Sequence, residues 1–336
     1  MTGKRWLFAG AVLLILAMAG TYAAGWLRPV QVVGAAIGIL YRLDKPDLSD
    51  PAMIQRGAAH YDLVCARCHG SPDRPDRGQH LRLTPPAPTL HLRLADWPPE
   101  QLFRVVRDGI RNSAMPAWPA AGRKDEIWSM VAFLAVLPGM GVAEYRRMAG
   151  GNLPADLPGD LPDAILLRCV TCHGTEGSGG TDAAAFPRLD IQTPAYLADA
   201  LTAFRDGHRA SGFMQTAATA LTEAEIERLA RHCAGPVDPG QVQGQPPHIV
   251  TMGDRNRKIA ACASCHGLSA PIRPEIPRLA GQDAGYLARQ LHLFVREEFP
   301  PRGGGPWAAL MIHAVPDLSE REIAEIVEWY AHQVVR

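Results

Sequence analysis

Apolar residues recur at helical spacing in three parts of the chain. These stripes comprise Ile127, Met130, Val131 and Leu134; Ile226 and Leu229; and Ile323, Ile326, Val327 and Tyr330. Residues three and four apart share one face of an α-helix, so each stripe predicts a helix packed on a core. The last two stretches open with Thr222 and Ser319, each followed three residues later by glutamate, which is the pattern of a capping box. No convincing run of alternating strand residues accompanies them, and the pattern predicts an all-α fold.

A segment of the chain is repeated, which indicates its domain organisation. Residues 187–204 and 277–294 share Pro-Arg-Leu, Tyr-Leu, Leu and Phe at a constant offset, and residues 88–118 follow a looser version. Such self-similarity indicates repeated structural units. Proline-rich segments at 153–162 and 235–247 are typical of linkers between them. We therefore expect a lead-in at 1–48 and domains at 49–150, 151–240 and 241–336.

Six of the seven cysteines lie in three Cys-x-x-Cys-His motifs. The motifs are Cys65-Ala66-Arg67-Cys68-His69, Cys169-Val170-Thr171-Cys172-His173 and Cys262-Ala263-Ser264-Cys265-His266. This spacing is the attachment signal for c-type haem, in which two thioethers hold the porphyrin and the histidine ligates iron. Disulfides, a redox dithiol or zinc are the alternatives, but no βαβ pattern or second regularly spaced ligand pair supports them. The motifs predict three covalent haem c groups, and Cys233 is predicted to be a small buried residue.

The first apolar stretch, residues 6–27, carries no charge and follows Lys4-Arg5. About 20 apolar residues can cross a bilayer, and a positive flank stays in the cytoplasm. We therefore predict a membrane helix in the bacterial inner membrane, with the haem domains in the periplasm, where c-type haem is attached. A cleaved signal peptide is the alternative, because Ala17-Met18-Ala19 matches a cleavage site.

Each motif is followed at a similar interval by a methionine: Met115, Met214 and Met311. With the haem motifs, this arrangement resembles class I cytochrome c over nearly everything after Asp50. The resemblance implies that a methionine sulfur is the sixth iron ligand, opposite the motif histidine. A methionine that only fills the core is the alternative at each site, and His313 is a rival to Met311.

The resemblance carries further expectations. In this family a proline after the motif lies near the proximal histidine, whose second ring nitrogen bonds the neighbouring backbone; Pro187 and Pro277 match, and Pro88 matches less closely. Arg188, Arg278, Tyr196 and Tyr286 could bind haem propionates, with a solvated surface charge as the alternative for each arginine. Gly57 and Tyr61 resemble the pair through which the family's N-terminal helix crosses its terminal helix, here near Trp128 or Phe133.

The predicted ligands favour electron transfer over catalysis. Histidine and methionine together occupy the coordination positions of the iron that the porphyrin leaves open, and they raise its reduction potential. No position is left for oxygen or peroxide, which argues against a peroxidase or sensor. Zero net charge without a basic run makes nucleic acid an improbable partner. We expect a tri-haem relay between a quinol-oxidising complex or dehydrogenase and a terminal oxidase. The alternative is the cytochrome subunit of a membrane dehydrogenase, since tri-haem subunits of alcohol and gluconate dehydrogenases share this plan.

Overall fold

The computed structural model describes residues 45–78, 81–94, 97–149, 163–179, 186–235, 240–295 and 305–335. We call residues 45–149 the first unit, 163–235 the second unit and 240–335 the third unit. Within these ranges the regular structure is helical, with two isolated β-bridges and no strand, which confirms the all-α prediction. The segments 1–44 and 151–162, which contain the predicted membrane span and the first predicted linker, lie outside the described residues.

The helices follow one another in chain order. Those of the first unit are α1 Pro51–His60, α2 Ala66–His69, α3 Pro99–Asp108, α4 Lys124–Val136 and α5 Val142–Met148. A π-helical turn, Tyr61–Cys65, joins α1 to α2, and a 3-10 turn spans Leu90–Leu92. Those of the second unit are α6 Asp163–His173, α7 Pro194–Arg205, α8 Gly212–Ala218 and α9 Glu223–Cys233. Those of the third unit are α10 His248–Thr251, α11 Ala263–His266, α12 Ala284–Val295, α13 Gly305–Ala314 and α14 Glu320–Ala331.

Local chemistry explains where the second and third units begin their terminal helices. Thr222 caps α9 and Ser319 caps α14, and in both cases the glutamate three residues on closes a capping box. Each box satisfies backbone N–H groups that the first helical turn would otherwise leave unpaired. Both predicted caps are confirmed.

In the first unit, α1 crosses α4 at a glycine. A Cβ built on Gly57 would lie 2.2 Å from the carbonyl oxygen of Ser129 and 2.7 Å from Cβ of Phe133, so only glycine permits this approach. One turn later, the ring of Tyr61 packs on Phe133 with centroids 5.2 Å apart. The predicted crossing is confirmed.

The three largest hydrophobic cores of the described residues follow one another along the chain. The first lies among α1, α3, α4 and α5 and includes Phe103, Trp128 and Phe133. The second is built from α6 to α9, and the third from α10 to α14. Cys233 is buried at the end of α9 against Leu197 and Ala230, as predicted for a residue with a packing role.

The described helices are short. The longest of them, α4, has 13 residues and begins with Lys124, Asp125 and Glu126. A membrane-crossing helix needs about 20 apolar residues. None of the helices in the described ranges is long and apolar enough to cross a membrane.

Candidate haem sites

The three motif histidines have the same orientation. Nδ1 of His69 lies 2.9 Å from the carbonyl oxygen of Pro88. The corresponding distances are 3.1 Å from His173 to Pro187 and 2.9 Å from His266 to Pro277. A carbonyl accepts, so Nδ1 carries the proton and Nε2 keeps its lone pair for a metal. The predicted backbone contact is confirmed in all three units, including the one at Pro88.

The protonation of these rings suits ligation. Burial lowers the pKa of His69, His173 and His266, although the bond to each proline carbonyl opposes that shift. All three imidazoles are therefore neutral near pH 7, as a metal ligand must be.

A glycine turns the chain directly after each motif. Gly70, Gly174 and Gly267 have φ values of 67°, 76° and 64°, which favour glycine. A Cβ on Gly70 would lie 2.5 Å from the carbonyl oxygen of Pro75, so the loop closes tightly over the motif.

The motif cysteines are free thiols, of which five are half-buried and Cys265 is exposed. Burial raises the pKa of Cys65, Cys169 and Cys172 to about 12 and that of Cys262 to about 11. Buried neutral thiols do not suit a thiolate metal site, whereas a thioether is uncharged and costs nothing to bury. The described residues contain no group of three or more His, Cys, Asp or Glu able to hold a metal ion, which argues against zinc. This donor set fits covalent haem.

The structure places the three methionines differently. Met214 packs on the same core as Cys169, and Met311 on the same core as Cys262. His313, the rival to Met311, is exposed. Met115 is half-buried and is not part of the first core. Trp118 belongs to that core, and Cys65 packs against it. Its loop, residues 109–118, is fixed by its backbone: Ile110 donates to the carbonyl of Met115 at 3.1 Å.

The arginines and tyrosines considered for propionates have protein partners. Arg188 forms an ion pair with Asp190 at 2.7 Å, and Nε of the buried Arg278 donates to the carbonyl of Ser269 at 2.6 Å. Tyr196 and Tyr286 are bridged by Arg209, whose guanidinium donates to their hydroxyls at 3.3 and 3.4 Å. Sequence reasoning missed Arg209, which follows Gly207-His208 with no motif to mark it.

The second and third units meet through two glutamines. Nε2 of Gln192 donates to the carbonyl of Arg278 and its Oε1 accepts from Arg278 N, both at 2.9 Å. Gln282 makes the same two bonds with the backbone of Arg188, also at 2.9 Å. The contact is reciprocal, because equivalent residues of the repeat face each other. The arginines that take part directly follow the prolines whose carbonyls accept from His173 and His266.

The first and second units meet through a buried carboxylate. Glu126, 3% exposed, accepts from Ser211 Oγ and from Gly212 N, both at 2.6 Å. Arg123 pairs with Glu126 at 3.0 Å and donates to the carbonyl of Ala210 at 2.7 Å. Burial raises the pKa of Glu126, and Arg123 opposes that shift. Sequence reasoning missed this residue; the available signal was an acidic residue beside the apolar stripe of α4.

Comparison with known proteins agrees with these sites. Residues 52–134 match the family described as "Cytochrome C oxidase, cbb3-type, subunit III". The chain is 30% identical over 189 residues to a thiosulfate dehydrogenase electron acceptor from Thiomonas intermedia, covering 54% of this chain and 84% of that protein. It is 30% identical over 227 residues to a protein of the same name from Stutzerimonas stutzeri, covering 64% and 94%. The chain belongs to the multi-haem class I cytochromes c.

A third relative of this cytochrome is cytochrome c4 from Thiocapsa roseopersicina, 29% identical over 196 residues, with 56% of this chain and 94% of the relative covered. These relatives are electron-transfer proteins by name, which confirms the prediction of an electron-transfer protein that binds covalent haem c. The predicted location in the bacterial inner membrane is wrong on these findings. The matching relatives are cytochromes c4 and electron acceptors, which points away from a protein of the inner membrane.

Proposed function

We propose that this cytochrome carries three haem c groups and relays electrons from a dehydrogenase towards a terminal oxidase. The haem-binding cysteines would be Cys65, Cys68, Cys169, Cys172, Cys262 and Cys265. The iron ligands would be His69 and Met115, His173 and Met214, and His266 and Met311. The observation that carries the proposal is the threefold recurrence of one geometry, a motif histidine held by a proline carbonyl.

Each haem, once bound, supplies an iron that gains and loses one electron. The protein residues prepare that site. The proline carbonyls of residues 88, 187 and 277 keep the proton on Nδ1 of each histidine and fix the ring plane. The methionine thioethers are soft, neutral donors that favour the reduced iron and raise its potential. Cys169 and Met214 pack against the second core, and Cys262 and Met311 against the third, so apolar side chains would cover part of each haem.

We also propose residues 49–150, 151–240 and 241–336 as the three haem domains. The three largest cores support this division, since each collects its residues mainly from one domain. Leu48, Ala210 and Phe213 are added to the first core, and a small cluster joins Ala59 to Phe186.

Two features support the direction of the relay. Relatives of the chain are named as electron acceptors of thiosulfate dehydrogenase, which supports a dehydrogenase of a sulfur oxyanion as the donor. The first unit matches a cytochrome family of a terminal oxidase, which supports an oxidase at the other end. A second function, a permanent cytochrome subunit of a dehydrogenase complex, is favoured by the same relative names.

The haem number is tested on the purified holoprotein. We expect an intact mass equal to the polypeptide plus three haems, and three equivalents of haem per chain in alkaline pyridine. Replacing both motif cysteines of one unit by alanine should remove one equivalent. Two equivalents in the parent protein would contradict the proposal.

The role is tested by mixing. Thiosulfate dehydrogenase and thiosulfate should reduce all three haems, and a terminal oxidase should reoxidise them. Co-purification in a fixed ratio with a dehydrogenase would favour the subunit function. Turnover of thiosulfate by the isolated chain would contradict both.

A further inference from the structure

We propose that Glu126 is a positioning residue that holds the Met214 loop (residues 209–214) and the Met115 loop (residues 109–118) in one fixed arrangement. The inference rests on the proposed function in that it takes Met115 and Met214 as iron ligands. It adds a coupling between the iron sites of the first and second units, whose residues lie far apart in the sequence.

The link from Glu126 to Met214 contains one side chain. Oε1 of Glu126 accepts from Ser211 Oγ at 2.6 Å, and the same hydroxyl accepts from the backbone N–H of Met214 at 3.1 Å. Oε2 accepts from the backbone N–H of Gly212 at 2.6 Å, two residues before Met214. The carboxylate thus holds the first turn of α8, on which Met214 lies.

The link from Glu126 to the Met115 loop runs through Trp118. Nε1 of this indole donates to Oε2 of Glu126 at 3.3 Å. The backbone N–H of Trp118 donates to the carbonyl of Arg107 at 3.1 Å, which anchors the end of the loop on α3. One carboxylate oxygen therefore accepts from both loops.

Steric contact reinforces the polar link. A Cβ on Gly212 would lie 2.2 Å from the indole of Trp118, so the two loops touch with no room for a side chain between them. Phe213 packs edge-on to the same indole, with centroids 5.3 Å apart. A displacement of either loop must therefore displace the other.

Burial makes the arrangement rigid. Glu126, Ser211 and Trp118 are 3%, 3% and 7% exposed, so water cannot readily replace a broken bond. The guanidinium of Arg123 pairs with both Asp125 and Glu126 and also donates to the carbonyl of Ala210. Removal of the carboxylate leaves several buried donors without an acceptor. The expected response is movement of the Met214 loop, because the Ser211 O–H and Gly212 N–H contacts with Glu126, both at 2.6 Å, are the shortest.

The test uses the full-length holoprotein and Glu126→Gln. Glutamine keeps the shape of the side chain but replaces one carboxylate oxygen with an NH2 group, which is a donor. That group must face one of the donors that bond Glu126 in the parent protein. We measure hydrogen exchange at the amide of Gly212, and the ring-current-shifted methyl signal that each iron-bound methionine gives in the reduced protein. The amide should exchange about ten- to a hundredfold faster, as expected for loss of a bond to a charged acceptor. The Met214 signal should shift or broaden, and the Met311 signal should not change.

Two further variants sharpen the test. Ser211→Ala removes only the hydroxyl link, so the Met214 signal should shift while the Gly212 amide stays protected. Glu225→Gln is the matched control, because Glu225 also accepts from a hydroxyl and a backbone N–H, those of Thr222, but at the start of α9 within one unit. This control should leave both measurements unchanged.

Parent-like exchange at Gly212 and a parent-like Met214 signal in Glu126→Gln would overturn the proposal. So would equal changes in Glu225→Gln. A parent protein without a Met214 signal would instead overturn the ligand assignment of the proposed function, and the Gly212 exchange rate would still decide whether Glu126 holds the loop.

Discussion

The two contacts between units are built from different chemistry. Between the second and third units, Gln192 and Gln282 each bond the backbone of the other unit in the same way, at 2.9 Å. Between the first and second units, Glu126 and Arg123 bond a loop that offers no equivalent residues in return. The glutamine bonds are neutral and reciprocal, whereas the Glu126 and Arg123 bonds are charged and one-sided.

This difference determines how each contact responds to change. An amide bonded to backbone groups keeps its bonds at any pH at which the protein folds. A buried ion pair depends on both partners, since loss of one partner leaves the other charged and desolvated. The contact of the first unit is therefore the more vulnerable to substitution, and the buried His60 beside it adds sensitivity to acid. Four expected outcomes follow.

The largest effect is expected from Glu126→Ala. Removing the buried carboxylate costs about 3–5 kcal/mol, because Ser211 and the Gly212 N–H each lose a bond to a charged acceptor, while Arg123 keeps its pair with Asp125 at 2.8 Å. The measurement is denaturant-induced unfolding of the holoprotein. Glu225→Ala, which removes an exposed carboxylate that accepts from Thr222 within one unit, should cost much less. Equal losses would contradict the ranking.

The next effect is acid sensitivity through His60. This residue is 7% exposed and packs on Trp118 and Phe213, with centroids 5.1 and 4.9 Å apart, at the contact between the first two units. Burial lowers the pKa of His60 to about 4. As the pH falls through 6.5 the unfolded chain takes up the proton first, so stability falls from there until about pH 4.

The size of this loss is at most roughly 3 kcal/mol, from the difference between the two pKa values. His60→Phe keeps the ring contacts and removes the proton site. The variant should therefore lose less stability than the parent between pH 7 and pH 4.5, measured as unfolding midpoints. Parallel pH profiles would show that His60 carries none of the acid sensitivity.

A smaller effect is expected at the neutral contact. Gln192→Ala and Gln282→Ala each lose two hydrogen bonds between the units, at a cost of about 2 kcal/mol, and Gln282→Ala also loses a bond from Asp283 N. The loss should not vary between pH 5 and pH 8. Gln333→Ala is a matched control. Gln333 accepts from the backbone N–H of Gln243 and donates to its carbonyl, but both residues lie within the third unit. All three should be similarly destabilised, but small-angle scattering should detect separation of the units only in the first two.

The smallest effect concerns the loops that follow the motifs. Tyr61 donates to the carbonyl of Gly70 at 2.7 Å, and Tyr330 to that of Gly267 at 2.8 Å. Tyr61 follows the first helix of its unit, whereas Tyr330 lies in the last helix of the third unit. Both nevertheless bond the glycine that directly follows a haem-binding motif. Tyr61→Phe and Tyr330→Phe should each cost about 1 kcal/mol in thermal or denaturant unfolding. A much larger loss in one variant would show that the two braces are not equivalent.

Features set by local sequence could be predicted. The capping boxes at Thr222 and Ser319 need only residues three apart, and the glycine crossing at Gly57 needs a small residue one turn before an aromatic one. The backbone contacts of the motif histidines also lie within 19 residues of each ring. The family resemblance predicted these contacts most closely for Pro187 and Pro277, and the structure shows the same contact at Pro88.

Features set by contacts between units could not be predicted. Ser211 and Glu126 lie 85 residues apart, and a single long-range hydrogen bond leaves no periodic trace in the sequence. The same holds for Arg209, which reaches a tyrosine 77 residues away. Arg188 and Arg278 matched the repeat, but pairing of Arg188 with Asp190 depends on how the loop folds, which the repeat does not determine.

Arg209 shows what joining two similar units in one chain permits. In a dimer of identical chains, any residue that bridges a tyrosine and its copy would itself have a copy competing for the same place. Here one guanidinium, lying over the ring of Phe204 at 4.4 Å, serves Tyr196 and Tyr286 alone. Fusion therefore allows the two halves of a once-symmetric contact to diverge one residue at a time, and so to hold unequal electron affinities.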